Sequence, residues 1–179
     1  ADSLIEEILI GVRRGSVTVN SIRDTFSEGS FSMNKEEQTK AAFVIMDHML
    51  SSAQYGPSVK NVFIGILRSL AKSSPVEALK FGELYIEQIS DERAFRTLIQ
   101  LHGKSGNFSR PMQLLKNMPN NNWRREQQLR FKTASNISEH GLKLKQPSIK
   151  KLNTTTKSVI YHASQSLPHT SSGNAIRTH

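Results

Sequence analysis

The sequence predicts an all-α fold of antiparallel helix pairs over residues 1–140. A basic linker is expected over 141–157, and the first strand and loop of an α/β domain over 158–179. Three observations predict this organisation. Capping signals precede apolar segments in the first 118 residues, and the apolar residues of those segments recur at helical spacing. After Lys157 the pattern changes to a short apolar run followed by a loop of small residues, which is typical of a strand and a turn.

Three segments carry a residue pattern that starts a helix. A Ser or Asn side chain accepts a hydrogen bond from a first-turn amide, and a Glu three residues later accepts one from the cap's own amide. Proline suits the first helical position because an N–H there would have no partner in the helix. The three candidates are Ser3-x-x-Glu6, Asn34-x-x-Glu37 and Ser74-Pro75-Val76-Glu77. We therefore expect helices to begin directly after Ser3, Asn34 and Ser74.

Two apolar stripes follow the i, i+3, i+4, i+7 spacing of one buried helix face. The first consists of Val59, Val62, Phe63, Ile66, Leu67, Leu70 and Ala71, and the second of Ala94, Phe95, Leu98, Ile99, Leu101 and His102. Gly106 is placed to end the second helix, because glycine favours the left-handed conformation of a C-cap. A further helix is predicted over residues 123–139. His48 and His102 lie within apolar stripes and are expected to be partly buried.

Two helical pairs are related in sequence. Leu67-x-x-Leu70 recurs 31 residues later as Leu98-x-x-Leu101, and an early proline, Pro75, recurs 36 residues later as Pro111. These offsets fall in the range of helix–turn–helix repeats. The segment from Phe95 to Met118 resembles a pentatricopeptide or tetratricopeptide repeat (PPR or TPR) unit. The resemblance implies that residues 1–140 form a TPR-like array that acts as a docking module.

Positive charge is concentrated in one segment. Residues 1–103 contain 11 Lys/Arg and 13 Asp/Glu, whereas residues 104–157 contain 12 and 2. Such a field attracts anionic lipid headgroups, an acidic protein surface or nucleic acid, although a solvated helix and linker without a partner would carry the same charge. Trp123 and Phe131 alternate with the cations. This combination suits RNA or single-stranded DNA, because bases stack on aromatic rings and phosphates pair with cations. The predicted docking residues are Arg124, Arg125, Arg130, Lys132, Lys150 and Lys151. We predict an anionic membrane surface or an acidic protein as the partner, with nucleic acid less favoured.

The residue types of enzyme and metal sites give few candidates. The chain has no cysteine, which excludes disulfides and thiolate metal ligands. Its six histidines form neither an i, i+4 pair nor an HExxH motif, so no metal site is predicted. Paired carboxylates fall in the first turns of predicted helices, where negative charge interacts favourably with the helix dipole. They therefore give no catalytic pair, and the catalytic residues are unknown. The predicted location is the cytoplasm, and the basic segment adds the option of peripheral attachment to the inner face of the membrane.

The stretch from Lys157 to His179 carries the best candidate for a binding site. Val159-Ile160-Tyr161 predicts a buried strand, and a loop with Ser172 and Gly173 leads to a helix start near Asn174. Small residues let backbone amides approach an anionic oxygen, and a helix N-terminus adds positive potential. Strand, small-residue loop and helix start are the opening elements of nucleotide-handling α/β domains. A flexible tail without a binding role would also be rich in Gly, Ser and Asn, so this alternative stays open.

This terminal stretch resembles the opening of bacterial family-4-type glycosyltransferases. The similarity lies in Ser166-Leu167-Pro168-His169, Ser172-Gly173-Asn174-Ala175 and Arg177-Thr178-His179. It implies a truncated domain of the GT-B architecture, which has two Rossmann-like lobes, in a retaining enzyme. The substrate-binding residues that it implies are Ser172, Gly173, Asn174, Arg177 and His179. The family often has paired glycines where this chain has Ser172-Gly173.

The resemblance implies a function for the whole protein. A glycosyltransferase would transfer a sugar from a nucleotide-sugar donor to a glycan or lipid-linked acceptor in surface polysaccharide biosynthesis. It would need no bound cofactor, and the donor would be a substrate. The helical residues would be its N-terminal non-catalytic module, and this fragment alone is expected to be inactive. The alternative is a non-enzymatic PPR/TPR-type binding module for RNA or a protein partner.

Overall fold

The computed structural model describes residues 2–15 and 17–141. This part of the chain forms eight α-helices and one short 3₁₀ turn at Ala53–Tyr55, and it contains no strand. The helices are α1 (Asp2–Arg13), α2 (Val19–Gly29), α3 (Lys35–Leu50), α4 (Ser58–Ser73), α5 (Pro75–Ile89), α6 (Glu92–Lys104), α7 (Ser109–Lys116) and α8 (Asn122–His140). The all-α prediction is therefore confirmed for these residues. The strand and loop predicted over 158–179, and the linker beyond Gly141, lie outside the described residues.

The helices pack in two layers. The principal contacts join helices that are neighbours or next-but-one neighbours along the chain. Helices α1, α3 and α5 form one layer, and α2, α4 and α6 form the other, while α7 packs on α6 and α8 packs on α7. Contacts between sequence neighbours are typical of stacked helical pairs. The fold is thus helical-repeat-like, and its assignment to the TPR or PPR class stays a prediction.

Helix α4 lies at the centre of the core. It packs against α2, α3, α5 and α6, so it is buried on more sides than the single predicted stripe. Ile64, Gly65 and Ser69 are buried in addition to the predicted face. A Cβ atom at Gly65 would lie 2.7 Å from Ile22 Cβ and 2.9 Å from the backbone oxygen of Val19. Glycine at this position therefore lets α2 approach α4 closely.

The helix starts agree only in part with the sequence. The capping box at Asn34 is confirmed, because its Oδ1 accepts from the Glu37 amide at 2.9 Å and Glu37 Oε2 accepts from the Asn34 amide at 3.0 Å. Pro75 occupies the first turn of α5 as predicted, but the Ser74 side chain makes no capping bond. The prediction at Ser3 is wrong, since α1 already includes Asp2. Helix α1 thus places Ser3 inside its first turn instead of at its cap.

Helices α6 and α7 form the hairpin that the repeat resemblance predicts over Phe95–Met118. Gly106 has a φ angle of +77°, as expected for a glycine after a helix end. The amide of Asn107 donates to the carbonyl of His102 at 3.1 Å, and that of Gly106 to the carbonyl of Gly103 at 3.3 Å. This pair of bonds is a Schellman motif. The predicted end of the helix is confirmed, and the chain turns within four residues into α7.

Candidate functional site

The predicted basic docking residues on α8 do not form one patch. Arg124 is turned inward: its Nη1 donates to the carbonyl oxygen of Met118 at 2.6 Å, and the side chain is half-buried. It therefore fixes the start of α8. Its backbone amide donates to Asn121 Oδ1 at 2.9 Å, which caps the same helix. Part of the Arg124 guanidinium is thus committed to a contact within the protein, and its role in the docking surface stays a prediction.

The other three cations of α8 are exposed but lie on two sides of the helix. An α-helix turns by about 100° per residue, so Arg125 and Lys132 lie roughly 110° to one side of the buried Phe131, and Arg130 lies roughly 100° to the other. Glu126 precedes Arg130 by four residues and shares its side. Leu129 lies one turn after Arg125 and is 69 % exposed. Arg125, Leu129 and Lys132 thus form a continuous exposed ridge, named here the α8 ridge.

The two aromatic residues of this segment are occupied by contacts within the protein. Arg96 of α6 lies over the Trp123 ring, with its Cζ 4.6 Å from the ring centroid, and Trp123 is half-buried. Phe131 is 2 % exposed and lies 6.4 Å, between ring centroids, from Phe108. A Cβ atom at Gly103 would come within 2.8 Å of the Phe131 ring, so this glycine leaves the space that the ring fills. Phe131 is therefore withdrawn from the surface of α8, and Trp123 is only partly accessible.

The remaining predicted site residues all follow Gly141 in the sequence. Lys150 and Lys151 of the basic docking surface lie outside the described residues. The same holds for the predicted substrate-binding residues Ser172, Gly173, Asn174, Arg177 and His179. Their roles stay predictions.

A second candidate surface, which the sequence did not indicate, is a groove between α3 and α5. It has a volume of about 670 Å³. Phe43 and Val44 supply its apolar surface, and its rims carry three lysines and three acidic residues, Lys35, Lys40, Lys80, Glu36, Asp47 and Glu77. Leu84, which is 56 % exposed, lies one turn beyond Lys80 on the same side of α5. We call this surface the α3–α5 groove.

The floor of the α3–α5 groove is held by a cluster of aromatic rings. Phe43 lies 5.7 Å from Phe81 and 6.0 Å from Tyr85, measured between ring centroids. Tyr85 Oη donates to Asp47 Oδ1 at 2.6 Å, which joins α5 to α3. Burial and the acceptor Asp47 both raise the pKa of Tyr85, so the hydroxyl keeps its proton. The packed rings and the Tyr85–Asp47 bond therefore join α3 and α5 beneath the groove.

A half-buried ionic cluster joins α5, α6 and α7. Glu83 accepts from His102 Nε2 at 2.5 Å and from Arg110 Nη2 at 2.6 Å. The Nε2 atom of His102 is the donor because an ionised carboxylate only accepts. Burial alone would raise the pKa of Glu83, but the hydrogen bonds and charges of Arg110 and His102 outweigh it, and this pKa lies below its ordinary value. Glu83 is thus bonded to both partners, and its geometry is that of a structural clamp.

The two histidines expected to be partly buried differ. His102 is 7 % exposed and belongs to the Glu83 clamp. His48 is exposed, and its Nε2 lies 3.1 Å from the Tyr55 hydroxyl, so the prediction is wrong for His48. The sequence signal for the clamp was a carboxylate inside an apolar segment, since Glu83 follows Phe81 and precedes Tyr85.

In residues 2–15 and 17–141, no three His, Asp or Glu side chains lie close enough together to hold a metal ion. None of the eight helices described there combines the length and the apolar character that crossing a lipid bilayer requires. The α8 ridge and the α3–α5 groove are two candidate binding surfaces of this part of the chain.

Comparison with known proteins gives no relative for this chain: no family model, no curated protein and no solved structure matches it. The class that the described residues define is therefore a helical-repeat-like, all-α protein with an apolar groove between two helices of one layer and a cationic ridge on its last described helix.

Proposed function

We propose that residues 1–140 form the non-catalytic docking module of a glycosyltransferase that transfers a sugar from a nucleotide-sugar donor to a glycan or lipid-linked acceptor in surface polysaccharide biosynthesis. The enzyme class rests on the resemblance of Lys157–His179 to family-4-type enzymes. The docking role rests on one structural observation, the α3–α5 groove.

The groove supports docking because apolar side chains remain exposed around it. Val44, Val76 and Leu84 are 42 %, 64 % and 56 % exposed, and all three belong to α3 or α5. Apolar side chains that stay exposed beside a charged rim are typical of interaction sites. The charged rim can orient a partner segment, while the apolar floor supplies most of its affinity.

The enzyme class is tested first by reading the coding sequence beyond the His179 codon. The proposal expects several hundred codons of alternating strands and helices, with two glutamates separated by seven residues in a second lobe. Release of nucleoside diphosphate from UDP-sugars and GDP-sugars by the complete gene product is the matching activity measurement. A continuation made of further 34–35-residue helical repeats, together with no turnover of any donor, would overturn the enzyme class.

The docking role is tested with substitutions in the α3–α5 groove of the complete gene product. V44S/L84S exchanges two exposed apolar side chains, so we expect normal folding. Sugar transfer to acceptor in isolated membranes should fall by about tenfold or more, while donor hydrolysis by water stays unchanged. F31S, which changes an apolar side chain that is 89 % exposed and lies outside both the groove and the α8 ridge, is the matched control for this assay. Unchanged transfer by V44S/L84S would contradict the docking role of the groove.

A second candidate is a PPR-type RNA-binding module, which is favoured by the α6–α7 hairpin formed from Phe95–Met118. RNA affinity should fall steeply as salt concentration rises, because binding releases counterions. The test is fluorescence anisotropy of this chain with labelled single-stranded RNA. A dissociation constant that is micromolar or tighter at about 150 mM salt would favour this candidate over the enzyme module.

A further inference from the structure

We propose that the α8 ridge, formed by Arg125, Leu129 and Lys132, docks the protein on the anionic headgroups of a lipid bilayer. This inference deepens the docking role proposed above and names the partner of one surface. A surface composed of cations and a single exposed leucine fits a bilayer interface, where phosphates lie above the acyl chains.

The first step is the geometry of the ridge. Its three residues are separated by four and three positions, so they follow one side of α8 over about two turns. Leu129 is 69 % exposed and lies between the two cations. Among the described residues, neither Arg125 nor Lys132 takes part in an ion pair. Both charges are therefore available to headgroup phosphates while Leu129 enters the interface.

The second step is that the opposite side of α8 is fixed to the protein. Phe131 is buried beside Gly103, and Trp123 is covered by Arg96. The inward hydrogen bond of Arg124 to Met118 fixes the first turn. The helix can thus meet a flat surface with its outer side without leaving the core, and the ridge needs little reorganisation on binding.

The third step separates lipid from RNA. Proteins that bind single-stranded RNA combine cations with aromatic rings on which bases stack. Phe131 is buried, the half-buried Trp123 has Arg96 over its ring, and the side chain between the exposed cations is leucine. Leucine adds favourable energy at a bilayer interface but offers no stacking surface for a base. The chemistry of the ridge therefore favours an anionic lipid surface.

The fourth step is the charge that follows α8 in sequence. Residues 142–157 contain five lysines and no acidic residue, and leucine and isoleucine alternate with them. Each cation near an anionic membrane strengthens binding by about fivefold. The sequence after α8 therefore carries charge of the same sign as the ridge.

The experiment is sedimentation of the full chain with vesicles at about 150 mM salt, an ionic strength at which surface charges are partly screened. One vesicle population is pure phosphatidylcholine, and the other contains phosphatidylglycerol in addition. We expect binding to the anionic vesicles only. R125Q/K132Q should weaken it by about 25-fold, from about fivefold for each cation, and L129S should weaken it by up to about tenfold.

The matched control is R13Q/K72Q, which removes the same net charge from exposed positions on α1 and α4. It should weaken vesicle binding much less than R125Q/K132Q does. Equal effects of the two double variants, or no binding of the wild-type chain to anionic vesicles, would overturn the proposal. Binding of single-stranded RNA that is tighter than vesicle binding in the same buffer would overturn it in favour of RNA.

The vesicle assay contains no sugar nucleotide, so its result is independent of the enzyme class. Vesicle binding without any donor turnover would contradict the glycosyltransferase proposal but would support the membrane-docking role of the α8 ridge. Donor turnover by the complete gene product without vesicle binding would contradict only the membrane-docking role of the α8 ridge.

Discussion

Glu83 shows how one carboxylate can join three helices. It lies on α5 and accepts hydrogen bonds from His102 on α6 and Arg110 on α7. We expect Glu83→Gln to lower the free energy of unfolding by about 1–3 kcal/mol, because an amide has one acceptor oxygen where the carboxylate has two, so the buried His102 or the half-buried Arg110 loses an acceptor. Urea denaturation at pH 7 measures the loss.

The matched control for this change is Glu77→Gln on the same helix. Glu77 pairs with Lys80 at 2.9 Å, but Lys80 is largely exposed. An exposed pair one turn apart contributes about 0.5 kcal/mol or less. Equal losses in the two variants would show that the Glu83 cluster does not act as a clamp.

The Glu83 clamp also predicts a pH dependence. The pKa of Glu83 is lowered in the folded protein from an ordinary value of 4.5. A group whose pKa is lowered by folding stabilises the protein above its unfolded pKa, and this contribution is lost as pH falls through the folded value. We therefore expect the stability difference between wild type and Glu83→Gln to be constant from pH 7 to about pH 5 and to shrink below about pH 4.5. Urea denaturation at pH 7, 5 and 3 checks this, and a difference that grows on acidification would contradict it.

At the scale of elements, a helix cap was predictable from sequence only where the capping box used the usual pair, Ser or Asn at the cap and Glu three residues later. Asn34 and Glu37 form the expected capping box. The box at Thr18 was missed, because Ser21 replaces the usual Glu and its hydroxyl accepts from the Thr18 amide at 2.9 Å. Burial of α4 on several sides was also missed, since a single stripe identifies one buried face and cannot show how many helices surround it.

The close approach of α2 and α4 gives a prediction for Gly65. We expect Gly65→Ala to lower the melting temperature by about 2–6 °C, because overpacking costs about 1–3 kcal/mol and exceeds the gain of up to about 1 kcal/mol in helix propensity. The control is Gly11→Ala, where a new Cβ would make only a 3.5 Å contact with Val17. That variant should be neutral or slightly stabilised. A stabilised Gly65→Ala would show that the two helices can separate without loss.

At the scale of the whole molecule, the sequence predicted the class of fold better than its surfaces. The helix spacing identified the all-α class, because periodicity depends on local sequence alone. The α3–α5 groove depends on two helices that α4 separates in sequence, so no local pattern could indicate it. The inward contact of Arg124 was missed for the same reason, since its acceptor, the Met118 carbonyl, becomes evident only when the chain folds back at Asn121.

Packing between sequence neighbours predicts that the end of the chain's helical unit can open independently of its centre. Helix α8 has one buried side chain, Phe131, whereas α4 is surrounded by four helices. Each helical pair in such a stack is stabilised mainly by its neighbours, so a terminal defect need not spread.

We expect Phe131→Ala, which removes a large buried ring, to abolish the hydrogen-exchange protection of α8 amides while the amides of α4 keep theirs. Leu129→Ala, a change at an exposed position two residues away, should leave both helices protected. Equal loss of protection in α4 and α8 after Phe131→Ala would mean that the eight helices unfold as one cooperative unit. The α8 ridge would then have to bind its partner without any local opening of the helix that carries it.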